Sequence, residues 1–247
     1  MTAATTTSQI AALSDEPVQR YARVIALLIL LSAVFGALGE SYVPSKIIVS
    51  GDAAATASNI LASPMLFRLG FAAYLVEAVC DVALALLFYV LLRPAGEYLA
   101  LFTAFLGLIS TALYAVAEAF YFAPTIMLSG ADYLKAFSPD QLRSLSLLSL
   151  QLFGRIAGLF LGFYGLATVI RGYLMYRSGY LPRTIGVLFV IGGAAFIVET
   201  LATVLAPRYA SPILLMPIGV AGISLMLWLF VKGVDIQRWK AAVAASN

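Results

Sequence analysis

Five ionisable side chains interrupt stretches that are otherwise apolar: Glu77, Asp81, Glu118, Arg155 and Glu199. Carboxylates in such surroundings exchange protons, hold a cation or do acid–base work, and an arginine among them balances a carboxylate or holds an anion. Their spacing groups them. Glu77 and Asp81 are four apart, as are Gln151 and Arg155, so each pair shares a face if its segment is helical. Tyr114, Glu118 and Tyr121 line one face on the same reasoning, and Glu199 clusters with Thr200 and Thr203. Glu40, Tyr114 and Tyr121 read as the rim of one site. A single arginine cannot neutralise Glu77, Asp81, Glu118 and Glu199 together, so the other carboxylates need a proton, water or a cation from outside. The alternative is a buried ion-pair network that only fixes helix packing.

Other chemistries lack their residues. There is no histidine, which removes the usual zinc ligand, haem ligand and general base. Cys80 is the single cysteine, so it forms no intrachain disulfide or multi-thiolate metal site; beside Asp81 it reads as packing. No catalytic residue, metal site or cofactor is assigned. The net charge of +3 reflects threading through a membrane rather than nucleic-acid binding.

The elements that must position these residues follow from composition. Of 247 residues, 62% are hydrophobic and 11% charged, against about half and a quarter in soluble domains. Apolar blocks of helix-spanning length point to an all-α membrane protein, because in hydrocarbon each backbone N–H and C=O needs an internal partner. We read a bundle of six transmembrane helices at 22–43, 65–92, 99–123, 145–171, 184–205 and 213–231. A disordered tail over 1–20 and a second tail over 241–247 flank the 21–240 transmembrane domain. Arg20, Arg23, Arg93, Arg171, Arg177, Arg183, Lys232, Arg238 and Lys240 fall on one side. Lys46, Arg68, Lys135, Arg143 and Arg208 fall on the other. The positive-inside rule then places both termini of this multi-pass protein in the cytoplasm.

On the outer side, Val49 to Asp52 reads as a turn and cap, 53–62 as a short surface helix, and Ser138-Pro139-Asp140 as a cap with Pro at the first helical position. Ser-Pro pairs precede the even-numbered helices at Ser63, Ser138 and Ser211, and Glu40, Glu118 and Glu199 are similarly spaced. This suggests three helical hairpin repeats, although Ser-Pro is also a common helix start. Gly154, Gly158 and Gly162 recur every four residues as a close-packing face. Counted from the outer ends, Arg155 lies ~15 Å and Glu77 ~18 Å deep. The charges lean toward the outer leaflet and suggest an outward-open cavity reaching the midplane, with Arg155 neutralised by Glu77 or Asp81.

Several stretches carry a family resemblance: Ile48 to Ala57 (IVSGDAAATA), Phe67 to Phe71 (FRLGF), Cys80 to Leu86 (CDVALAL), Arg177 to Arg183 (RSGYLPR) and Lys232 to Trp239 (KGVDIQRW). With Asn59 to Ala62, Tyr89 to Pro94 and Ser129 to Leu134, they resemble the bacterial domain-of-unknown-function family 4386 over nearly all of the chain after residue 20. The resemblance implies a bacterial polytopic membrane protein and no established activity. Many members carry histidine near the position of Gln151, so a histidine-based mechanism does not transfer to this chain, and Arg155 is atypical too. Three functions remain open. The first is binding or transport of a small polar or amphipathic solute, or a lipid ligand, through the carboxylate- and Arg-lined cavity. The second is a membrane structural or regulatory partner without a ligand, and the third an intramembrane lipid-modifying enzyme. The oligomeric state is not encoded in any motif.

Overall fold

Long apolar runs without an external hydrogen-bonding partner satisfy their backbone by coiling on themselves. The computed structural model describes residues 2–246, and 89% of the chain is helical with no strand among the described residues. Six helical stretches are long and apolar enough to cross a membrane: Pro17–Ile47, Pro64–Ala95, Glu97–Met127, Pro139–Ser178, Arg183–Leu205 and Ile213–Val231. These are the six expected spans, extended at several ends. The fourth gains most, beginning at Pro139 and running on past Arg171 to Ser178.

In chain order the helices are α1 (Thr2–Gly36), α2 (Val43–Ile47), α3 (Ala53–Ala62), α4 (Pro64–Leu92), α5 (Glu97–Phe122), α6 (Pro124–Met127), α7 (Pro139–Ser178), α8 (Arg183–Leu205), α9 (Met216–Val231) and α10 (Ile236–Ser246). The expected caps form. The Asp52 carboxylate accepts from the Ala55 N–H at 2.8 Å. Ser138 Oγ accepts from the Gln141 N–H at 3.2 Å while Gln141 Oε1 accepts from the Ser138 N–H at 2.8 Å, a reciprocal capping box. Helix α1 begins at Thr2, and by residue 18 it is packed: Val18 is buried, and Gln19 Nε2 donates to the Val234 carbonyl at 2.8 Å. At the other end α10 carries Trp239 and Ala242 against a hydrophobic core, because its apolar residues return every three or four positions.

The chain divides into two compact units, one comprising Met1–Leu30, Ala83–Leu108 and Gly162–Asn247, the other Leu31–Val82 and Ile109–Leu161. The first is centred on Ile25, Leu91, Leu92, Leu174, Met175, Leu225 and Leu229, all essentially inaccessible. Within it α7 and α8 touch backbone to backbone. A Cβ on Gly172 would stand 2.6 Å from the Gly186 carbonyl oxygen, and one on Gly193 would stand 2.6 Å from that of Gly165. The seven-residue spacing on both helices brings the same face round each time. Of the glycine stripe expected at Gly154, Gly158 and Gly162, Gly154 has nothing within 4 Å of a Cβ, and Gly162 meets the Thr200 side chain at 3.2 Å, a looser approach than those at Gly172 and Gly193. The α7–α8 turn is closed by Tyr180, whose hydroxyl donates to the Leu91 carbonyl at 2.8 Å. Burial pushes this phenol above its ordinary value, so it stays a donor.

The second unit is aromatic. Phe67, Tyr74 and Tyr121 are fully buried with Val43 and Ile47. Tyr74 meets Tyr121 edge-on at 5.0 Å and Tyr114 edge-on at 5.8 Å, and Phe67 stacks on Tyr121 at 4.6 Å.

Candidate functional site

The site in the second unit starts from a proline. After α1 the chain runs through a π-helical segment, Ala37–Tyr42, in which the Val43 N–H bonds back five residues to the Leu38 carbonyl. The next donor in that register would come from residue 44, which is Pro44 and has no N–H. The Gly39 carbonyl is thereby left without its helical partner. Tyr74 supplies one, its buried hydroxyl donating to that oxygen at 2.7 Å. Glycine at 39 permits the approach, since a Cβ there would stand 3.1 Å from the Tyr74 ring and 3.2 Å from the Gly70 carbonyl. In the same π segment, one residue on, Glu40 accepts a short hydrogen bond from the Tyr114 hydroxyl. A π turn within an α-helix is a common device for presenting a functional side chain.

Glu77 and Glu118 lie deeper in the same unit. Glu118 is 2% exposed, and its Oε1 has no hydrogen-bond partner. Glu77 is half-buried, its Oε2 enclosed and equally without a partner. Gly36 makes room for it: a Cβ there would stand 2.8 Å from Glu77 Oε1. Glu77 lies within range of the charges of Glu40, Asp81 and Glu118. The Asp81 carboxylate accepts from Ser32 Oγ at 3.1 Å. The neighbouring hydroxyls are committed elsewhere, Tyr74 to Gly39, Tyr114 to Glu40 and Tyr121 to the Phe67 carbonyl at 3.4 Å. The structure thus gathers Glu40, Glu77, Asp81, Glu118, Tyr114 and Tyr121 into one unit, with Tyr74 added to those expected.

Arg155 does not join them. It is exposed and makes no ion pair among the described residues, and Gln151 beside it is exposed as well. The expected pairing of Arg155 with Glu77 or Asp81 is corrected by the face it occupies. Phe153 and Ala157 on α7 pack against the aromatic cluster, and Arg155, two positions from each, lies ~200° round the helix from both. Glu199 belongs to the first unit, where it is buried on α8 and accepts from the Ser211 N–H at 3.1 Å.

Arg171 was missed as a buried charge because it looked like a flanking basic residue. It is 3% exposed in the first unit, with Nη2 3.4 Å from the Thr103 carbonyl and its guanidinium 5.0 Å from the Phe88 ring and 5.8 Å from the Tyr164 ring. Gly107 accommodates it, since a Cβ there would stand 3.0 Å from Nη2. The available signal was the apolar run continuing past it from Gly172 to Met175.

No three Asp, Glu or Cys side chains converge closely enough to hold a metal ion among the described residues. Clefts open on the molecule among the described residues. One of about 610 Å³ is lined by residues 93–98, 177–178, 242–243 and 245; one of about 430 Å³ lies among α3, α6 and the start of α7; one of about 440 Å³ lies at Phe137 to Leu145. None is lined by Glu77, Asp81, Glu118 or Arg155. Glu118 is buried and Glu77 and Asp81 are half-buried without lining any of these openings.

A family model described as "Domain of unknown function (DUF4386)" matches residues 24–233. No curated protein matches the chain, and no solved structure does.

Proposed function

Because the chain belongs to the DUF4386 family, whose description carries no activity, we propose its function from the site alone. It is a multi-pass protein of a bacterial cytoplasmic membrane, with both termini inside, that binds and moves a small polar or amphipathic solute through charge changes at Glu77 and Glu118. One observation carries this reading: Glu118 Oε1 and Glu77 Oε2 are enclosed and have no hydrogen-bond partner. A buried carboxylate without a cation costs several kcal/mol, on the order of the penalties for any isolated buried charge. Its charge is therefore matched by a proton or by a cation delivered with the solute. Acids inside membrane helices serve proton relays and ion pathways for this reason. The hydroxyl of Tyr114 on Glu40 and that of Ser32 on Asp81 hold the flanking carboxylates in place, leaving Glu77 and Glu118 free to exchange.

The test uses the purified protein and its E77Q and E118Q variants, each checked for unchanged helicity and gel-filtration profile. Native mass spectrometry reads any retained non-protein mass, and proton exchange is followed in reconstituted vesicles on a pH jump. The reading expects a discrete bound mass or a proton flux in the wild type that both variants lose. Folded variants that match the wild type in both measurements refute it.

Arg155 and Gln151 favour one second reading, a membrane partner protein. Both are exposed at mid-helix on α7, and polar groups on a spanning helix are costly unless another chain or water meets them. A fixed stoichiometric protein crosslinked from position 155 in the native membrane supports that reading, whereas crosslinks to lipid alone refute it.

A further inference from the structure

The cleft of about 610 Å³ lies apart in sequence from the acidic site and has the opposite chemistry. Two arginines line it, Arg93 directly after the last residue of α4 and Arg177 in the last turn of α7. Both therefore stand at the ends of helices long enough to cross a membrane. Neither guanidinium makes an ion pair or side-chain hydrogen bond to any described residue. Arginines at helix ends commonly reach into bulk water; these two line one concave space.

The third element of the cleft is the first turn of α5. Gly96 precedes that helix and has no side chain to cap it, so its leading N–H groups lack an intrahelical acceptor. Gly96, Glu97 and Tyr98 all line the cleft. Glu97 is the one carboxylate among the described lining residues, at the first position of α5 where the helix dipole favours an acid. Two positive side chains, one negative side chain and a positive helix end leave the cleft attractive to an anion. One wall is formed by Ala242 and Val243 of α10. Beside it the Tyr98 ring is 87% exposed, as aromatic side chains are at headgroup level.

We propose that this cleft binds a phosphate group, with Arg93 and Arg177 as its two cationic contacts and the first turn of α5 as its main-chain contact. Guanidinium groups suit this chemistry because their planar donors match phosphate oxygens in pairs. The group is the phosphodiester of an anionic phospholipid or a free soluble phosphate, and the two sources are separable by experiment.

The full-length protein is placed in nanodiscs of zwitterionic lipid with and without a minor fraction of phosphatidylglycerol, and lipids retained after ejection are counted by native mass spectrometry. A second arm measures binding of inorganic phosphate to the detergent-solubilised protein by thermal shift. Each arm compares the wild type with R93Q/R177Q and with R68Q/R143Q as a control for lost charge. Retention of phosphatidylglycerol over the zwitterionic lipid, weakened about tenfold or more in R93Q/R177Q alone, supports the site with lipid as its source. A phosphate-dependent thermal shift lost only in R93Q/R177Q, without lipid preference, supports it with a soluble source. Equal behaviour of the wild type and R93Q/R177Q in both arms overturns the proposal, as does an equal loss in both double variants. Arg93 and Arg177 are exposed and unpaired, so their replacement leaves the fold intact. None of these readouts depends on Glu77 or Glu118.

Discussion

Tyr74→Phe removes one hydroxyl and nothing else, and the local geometry says what it costs. The ring keeps its edge-on contacts with Tyr114 and Tyr121, so no cavity opens. What is lost is the 2.7 Å hydrogen bond to the Gly39 carbonyl. Leaving a buried acceptor unmet costs about 1–3 kcal/mol in soluble proteins, and hydrogen bonds measured within membrane bundles fall at about 0.6–1.7 kcal/mol. We therefore expect Tyr74→Phe to destabilise by about 1–2 kcal/mol. The carbonyl is orphaned because Pro44 has no N–H, so Pro44→Ala supplies a main-chain donor in the same register as the Val43-to-Leu38 bond. In the Pro44→Ala background the tyrosine hydroxyl becomes partly redundant, and Tyr74→Phe should cost about half as much, a coupling of roughly 0.5–1 kcal/mol. The assay is reversible unfolding in mixed micelles with increasing dodecyl sulfate, run on the wild type, both single variants and the double variant. Additivity within about 0.3–0.5 kcal/mol would refute the account of why Tyr74 is there.

Further predictions rest on the same kind of reasoning. Pro124 orphans the Phe120 carbonyl as Pro44 does that of Gly39, and Ser149 Oγ donates to it at 2.6 Å; Ser149→Ala should cost about 1–2 kcal/mol, and less when combined with Pro124→Ala, in the same unfolding assay. Gly172→Ala and Gly193→Ala each place a Cβ 2.6 Å from a facing carbonyl and should destabilise by about 1–3 kcal/mol, whereas Gly154→Ala, with open space around it, should stay within about 0.5 kcal/mol of the wild type. Arg155→Ala should be equally mild, because the side chain is exposed and unpaired; a loss above about 3 kcal/mol, the size seen when one partner of a buried ion pair is removed, would contradict its position on α7. Glu118→Gln should unfold no earlier than the wild type, since it removes a buried acid that no cation meets; earlier unfolding would indicate that the acid holds the fold together.

The sequence by itself determined the architecture at the scale of whole helices. Hydrocarbon leaves a backbone no partner but its own helix, so a block of apolar residues of sufficient length is helical whatever its neighbours do. The six spans, the short helix Ala53–Ala62 and the caps at Asp52 and Ser138 were legible for that reason and for the equally local chemistry of caps. The face-sharing of Glu77 with Asp81, and of Tyr114 with Glu118 and Tyr121, was legible too, because helical period is local. Which face turns inward is not local. Arg155 lies within a helix long enough to cross a membrane, yet the apolar bulk of Phe153 and Ala157 on the opposite side of α7 turned it outward. Arg171 looked like a flanking residue, yet α7 ran seven residues beyond it and buried it. The tightest glycine contacts of α7, at Gly165 and Gly172, were not singled out, because such a contact requires a facing glycine, and Gly186 and Gly193 lie on the next helix. Tyr74 could not be assigned a role at all until α4 was set against the π turn that Pro44 creates. In each case the helix and its period were written in one segment, while rotation and partner were settled by packing against residues far away in the chain.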